Sequence, residues 1–147
     1  MAQGAKVALI GDSLAVPIYD NGAFIDVLLV DDAFDTETVA GRAVWLGTIP
    51  CRKPVRLHAR PVDWLEAGCT GVCHIALVSR DGLRQLRKAR VIECNDIGAA
   101  LEAWDFGFGG DERKLGRFEI DDVPSSIAEY VDVNARVQAW GVLSRAT

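Results

Sequence analysis

A serine that attacks an ester or amide needs a turn that exposes it, a base to take its proton, and amide donors for the oxyanion. Ser13 meets the first need: Gly11-Asp12-Ser13-Leu14 follows the apolar run Val7-Ala8-Leu9-Ile10, so its hydroxyl stands at the end of an expected strand. The base must come from His58 or His74, the only two histidines. If the chain is an enzyme, Ser13 is the nucleophile, His74 the base, and Asp12 or a loop amide the assisting group.

The Gly-Asp-Ser-Leu stretch resembles the first block of the GDSL or SGNH hydrolase family. That resemblance implies a nucleophilic Ser13 and, late in the chain, an Asp-x-x-His that supplies carboxylate and base on a doubly wound fold. The sequence departs from this pattern. Val55 precedes His58 by three residues and Gly71 precedes His74 by three, and neither histidine is near the C-terminus. Where the family has a helix after the serine, this chain has Pro17 and then Asn21-Gly22, a pair suited to a tight hairpin. The local residues therefore predict a turn between two strands, in which Gly11 gives backbone freedom and Asp12 or Ser13 bonds nearby amides.

Other constellations point away from metals and cofactors. Cys69-x3-Cys73-His74 has no second ligand pair such as structural zinc prefers, and Cys73 and Cys94 lie in apolar runs where a free thiol packs as a small hydrophobe. Asp26, Asp31, Asp32, Asp35 and Glu37 lack the spacing and central glycine of a calcium loop and predict a solvated acidic segment. Gly107-Phe108-Gly109-Gly110 lacks the Gly-Lys-Ser/Thr ending of a P-loop and predicts a surface loop. No metal and no cofactor is expected. The aromatic residues are the binding candidates: Trp45, Trp64, Trp104 and Trp140, with Phe106 and Phe108, would line an apolar pocket if they converge.

Charge is segregated along the chain. Residues 1–50 carry seven acids and two bases, 51–90 nine bases and three acids, and 91–147 eleven acids and five bases, so −5, +6 and −6 give the net −5. Arg52, Lys53, Arg56, Arg60, Arg84, Arg87 and Lys88 make the middle third a candidate phosphate-binding surface. The acidic total opposes the usual nucleic-acid footprint, and nucleic acid ranks behind other partners on this evidence. With no export signal or apolar run of membrane-spanning length, the cytoplasm and reduced thiols are expected.

The elements that must hold these residues follow from periodicity. Strands are expected over 6–10, 23–30, 55–60, 72–78, 90–94 and 117–121, with the segment 38–49 forming one bent strand or two short ones. Val55, Leu57 and Ala59 share one face of a half-buried strand, and Arg56, His58 and Arg60 the other. Helices are expected after Asp81, after Asn95, and after Ser126, whose Glu129 completes a capping box ahead of Tyr130, Val133, Val137 and Trp140. The 147 residues are one expected domain of α+β class: a largely antiparallel sheet with two or three helices on one face and a C-terminal amphipathic helix. The expected function is binding without catalysis, of a small apolar ligand or a protein partner, with a homodimer through a sheet edge or the last helix open. A serine hydrolase and a nucleic-acid-associated factor are the alternatives.

Overall fold

The computed structural model describes residues 8–75, 80–121 and 126–132. The first layer is an antiparallel sheet of four strands in chain order: β1 (Ala8–Ile10), β2 (Ser13–Asp20), β3 (Ala23–Val30) and β4 (Thr36–Thr38). Gly11 and Asp12 turn β1 into β2, as expected from the sequence, with Leu9 opposite Leu14 and Ile10 opposite Ser13. Asn21 and Gly22 both take positive φ, 50° and 82°, which matches the twist of the β2–β3 hairpin. Alternation along these strands buries Val16, Ile18, Leu28 and Val30 on one face.

The chain then crosses to a second sheet, and a single carboxylate secures the crossing. Asp26, only 2% exposed, accepts the N–H groups of Ala40, Arg42 and Ala43 as well as that of Val27. The segment 38–49, read as one bent strand or two short ones, holds only the last residue of β4 in the first sheet and the two-residue β5 (Trp45–Leu46) in the second, with the crossing between them. The second sheet runs in the order β5, β7 (Val72–His74), β6 (Pro54–His58), β8 (Val91–Cys94), β9 (Phe118–Ile120). β6 pairs in parallel with both β7 and β8, β8 in parallel with β9, and β5 is the antiparallel edge.

Parallel neighbours need crossovers, and short helices supply them. α1 (Pro61–Glu66) starts on a proline, tolerated there because a first-turn N–H has no intrahelical acceptor. A 3₁₀ helix spans Asp81–Lys88. α2 (Ile97–Glu102) is capped by Asp96, whose carboxylate accepts the Ala99 N–H at 2.9 Å, and it runs into a π turn over Ala103–Gly107. A second 3₁₀ helix, Glu112–Arg117, leads into β9. A helix over 127–132 begins at Ser126, whose hydroxyl accepts the Glu129 N–H at 3.1 Å, as the capping box requires. Val133, Val137 and Trp140, and residues 76–78 of the expected strand, lie outside the described residues.

The second sheet is covered on both faces. On one side Val16, Ile18, Leu28 and Val30 of the first sheet pack against Leu46, Trp64 and Cys73. On the other, Val55, Leu57 and Ile92 pack against Leu83, Leu86, Ala100, Ala103, Phe108 and Ile127. The expected α+β class is what the structure shows, as antiparallel and mixed sheets with a few helices. The pairing inside the second sheet is mostly parallel, because β6, β7 and β8 each lead into a helical crossover. For the same reason β6 is not half-buried: His58, expected on a solvent face, is 6% exposed.

Candidate functional site

Ser13 opens β2 and lines a shallow cleft with Asp31, Asp35, Thr36 and Glu37, about 230 Å³ in volume. Acids and a threonine surround it, and no imidazole lines that cleft. Asp12 sits in the β1–β2 turn. His74 ends β7 in the other sheet, its ring edge-on to Trp45 with centroids 5.1 Å apart. The structure therefore places Ser13 and His74 in different clefts.

The aromatic candidates disperse in the same way. The indole N–H groups of Trp45, Trp64 and Trp104 donate to Gly82 O, Gly71 O and Asp111 O, at 3.3, 3.1 and 2.9 Å. Trp45 belongs to the helix-side core and Trp64 to the core between the sheets, with Trp104 packed at the edge of the former. Phe108 is buried edge-on to Phe118, so the glycine-rich segment around it is a packing element and not a free surface loop. Gly107 in particular lies against the Leu83 carbonyl, where an added Cβ would stand 2.7 Å away. Phe106 is 40% exposed beneath the Arg80 guanidinium, 4.5 Å from its ring centroid. Trp140 is outside the described residues.

Two ends of the parallel strands hold the concentrated polar chemistry. At the C-terminal ends the connections diverge between β6 and β8: β6 leads through α1 to β7 on one side, and β8 leads through α2 to β9 on the other. Open α/β sheets form a crevice where connections diverge in this way. A cleft of about 380 Å³ lies there, lined by His58, Ala59, His74, Asp96, Gly98 and Glu102. Its carboxylates are engaged with neighbouring groups, whereas His58 Nδ1 is buried there with no hydrogen-bond partner among the described residues. Asp96 caps α2, Glu102 pairs with Arg80 at 3.3 Å, and just outside it Arg60 pairs with Asp63 at 3.0 Å. Arg56 reaches Asp121 at 2.6 Å and Asn95 at 2.9 Å. His58 Nε2 lies 2.8 Å from Thr70 O; a carbonyl only accepts, so Nε2 is the donor. Among the described residues no three His, Cys, Asp or Glu side chains are grouped to hold a metal ion.

The opposite, N-terminal ends of the same strands are basic. The parallel register that sets Pro54 against Val91 brings two distant segments together: Arg52 N–H donates to Lys88 O at 2.7 Å, and Arg90 N–H to Lys53 O at 2.9 Å. Arg117 joins them from the start of β9, donating to the carbonyls of Arg87 and Ala89, with its guanidinium 5.2 Å from the Phe108 centroid. Arg87 donates to Gly107 O at 2.7 Å. Arg84 is exposed on the same 3₁₀ helix. Arg52, Lys53, Arg87, Lys88, Arg90 and Arg117 thus share one edge, and among the described residues none of them forms an ion pair with a carboxylate. Sequence reasoning grouped four of these with Arg84, Arg56 and Arg60, but the fold sends the last two to the far end and pairs both. It missed Arg90 and Arg117, whose inclusion depends on strand order.

No family model matches the chain, and no curated protein matches it. Among solved structures, the chain is similar to one in a complex of bacteriophage T7 lagging-strand DNA polymerase with primase domains of two gp4 subunits bound to an RNA/DNA hybrid and dTTP. The TM-score is 0.54 at 12% identity, over 88% of this chain and 76% of that one. The primase fragment of the bacteriophage T7 primase-helicase protein gives a TM-score of 0.49 at 11% identity, with 90% of this chain spanning 62% of the other. At such identities the likeness to the first of these is one of fold alone.

Proposed function

We propose that this protein is a nucleic-acid-binding domain that grips the phosphate backbone along the basic edge at the N-terminal ends of its parallel strands. The observation that carries this reading is the convergence there of Arg52, Lys53, Arg87, Lys88, Arg90 and Arg117, without carboxylate partners among the described residues. In a chain of net charge −5, such an edge is a local positive field set against an acidic remainder. An acidic remainder repels a polyanion, so contact is steered to that one edge. The chain of similar fold in the T7 complex sits in an assembly bound to an RNA/DNA hybrid, which agrees with the reading as a fold-level analogy. The thiols of Cys51, Cys69, Cys73 and Cys94 are all free, in keeping with a cytoplasmic setting.

Phosphate contacts release counterions, so binding must weaken steeply with salt, by a factor on the order of 10³ or more between about 50 and 200 mM if six or more contacts form. Fluorescence anisotropy with a labelled oligonucleotide measures this directly. The combined variant Arg52→Gln, Lys53→Gln, Arg90→Gln should flatten the salt dependence, whereas Arg60→Gln, the same kind of charge loss at the opposite end, should leave it unchanged. Absence of binding to DNA and RNA oligonucleotides at low salt would sink the reading.

A further inference from the structure

The basic edge leads into a groove between the two sheets, and the residues there bear on which form of nucleic acid it takes. Two clefts of about 280 and 240 Å³ flank the Gly47-Thr48 segment, and Tyr19 borders both. The first is lined by Ile18, Leu46 and Trp64 as well as Tyr19. The second is bordered by Arg42 and Lys88 together with Asp20, and it ends beside Arg52, which is bonded through its N–H to Lys88 O. Arg42 and Lys88 are both exposed, and neither forms an ion pair among the described residues. Tyr19 stands at the hairpin tip, half-exposed, its orientation supported by Phe24 edge-on at 6.1 Å between centroids.

We propose that this groove selects single-stranded nucleic acid, with an unpaired base against Tyr19 and its flanking phosphates on Arg42 and Lys88. The inference rests on the basic-edge reading and adds to it the strandedness of the ligand. Three features support it. The clefts have the volume for a single ring system and its sugar, not for paired strands. A base stacked inside a duplex has no free face to offer an aromatic side chain, whereas a single strand offers one at every nucleotide. Arg42 and Lys88 border the same cleft as the ring, so that stacking and phosphate contacts can act together there. Asp20 opposes the phosphates at one wall, so the strand runs on the Lys88 side.

The test compares a fluorescein-labelled oligothymidylate of about twelve nucleotides, within the usual footprint of such grooves, with a duplex of the same length. The single strand should bind at least roughly tenfold tighter. Tyr19→Ala should weaken single-strand binding roughly tenfold with an unchanged salt slope, because the lost contact is not ionic. Tyr19→Phe should retain affinity, and Lys88→Gln and Arg42→Gln should each lower the salt slope by about one. If Tyr19→Ala fails to fold, Tyr19→Leu keeps the apolar bulk without the aromatic face and should show the same loss. Equal affinity for both forms, or a folded Tyr19 variant that binds like the parent, overturns the groove proposal. If both forms bind equally and Arg52→Gln still weakens them, the basic edge stands and the groove alone falls; if neither binds, both fall.

Discussion

The carboxylate of Asp26 accepts four backbone N–H groups, three of them from the crossing between the sheets, and this makes it the strongest single determinant of how the layers connect. Burial pushes its pKa up, but the four N–H bonds outweigh that effect and hold it down to about 2 from an ordinary 3.8. Because the folded value lies below the unfolded one, this stabilisation is complete above about pH 4 and is lost as the pH falls through 2. The shift corresponds to about 2 kcal/mol. Asp26→Asn should therefore cost about 2 kcal/mol or more at neutral pH in urea unfolding, and the difference from the parent should shrink toward pH 2. A constant difference across that range would show that the charge is not what matters. Nothing in the sequence marks Asp26 out from Asp31, Asp32 and Asp35, since its role depends on a segment fourteen to seventeen residues away. Asp31 instead bonds locally, taking the Ala33 and Asp35 N–H groups as a turn-forming aspartate does. Ser13, by contrast, is in a hairpin among acids, and Ser13→Ala should shift stability by less than about 0.5 kcal/mol in the same melts.

At the scale of elements, one close approach fixes how β5 and the chain before β7 meet. Gly47 has φ +80°, and a Cβ there would stand 2.2 Å from Gly71 O and 3.3 Å from Trp64 Nε1, in the core between the sheets. The obstacle is backbone, not a flexible side chain, so Gly47→Ala should cost about 3 kcal/mol or more and broaden the seam that holds Tyr19 and Trp64. Thermal unfolding checks the cost. The hairpins and the capped helix at Ser126 were legible because each is encoded within a few residues: Asn21-Gly22 sets a turn, and Ser126 with Glu129 sets a cap. The parallel order was not. β6, β7 and β8 are strands of three to five residues, and which one lies beside which is decided by crossovers that carry no local signature. The basic edge shares that fate, since Arg52 meets Lys88 only once Pro54 is set against Val91. The 3₁₀ helix Asp81–Lys88 was legible as a helix with Leu83 and Leu86 inward, both now seen to be buried.

For the molecule as a whole, the two cores either open together or separately, and two buried thiols report on each. Cys73 lies in the core between the sheets and Cys94 in the core beneath the helices, both fully buried. Burial pushes each thiol up to about 12, so neither is a reactive thiolate in the folded state and labelling must wait for opening. Among the described residues, the core between the sheets has eight buried members against fifteen beneath the helices. Four of those eight come from the first sheet, whose separation would expose Cys73 while leaving Cys94 covered. In a background where Cys51 and Cys69 are serine, Cys73 should therefore react with an aromatic disulfide reagent at lower urea than Cys94. Identical labelling profiles would mean that the layers unfold as one unit. The same measurement bears on function, because a strand bound in the groove between the sheets contacts both layers and must oppose their separation. Saturating single-stranded oligonucleotide should slow labelling of Cys73 selectively, and Lys88→Gln should diminish that protection. A ligand held only on the basic edge, where Arg52, Arg90 and Arg117 all belong to the second sheet and its connections, would leave Cys73 reacting at its unliganded rate.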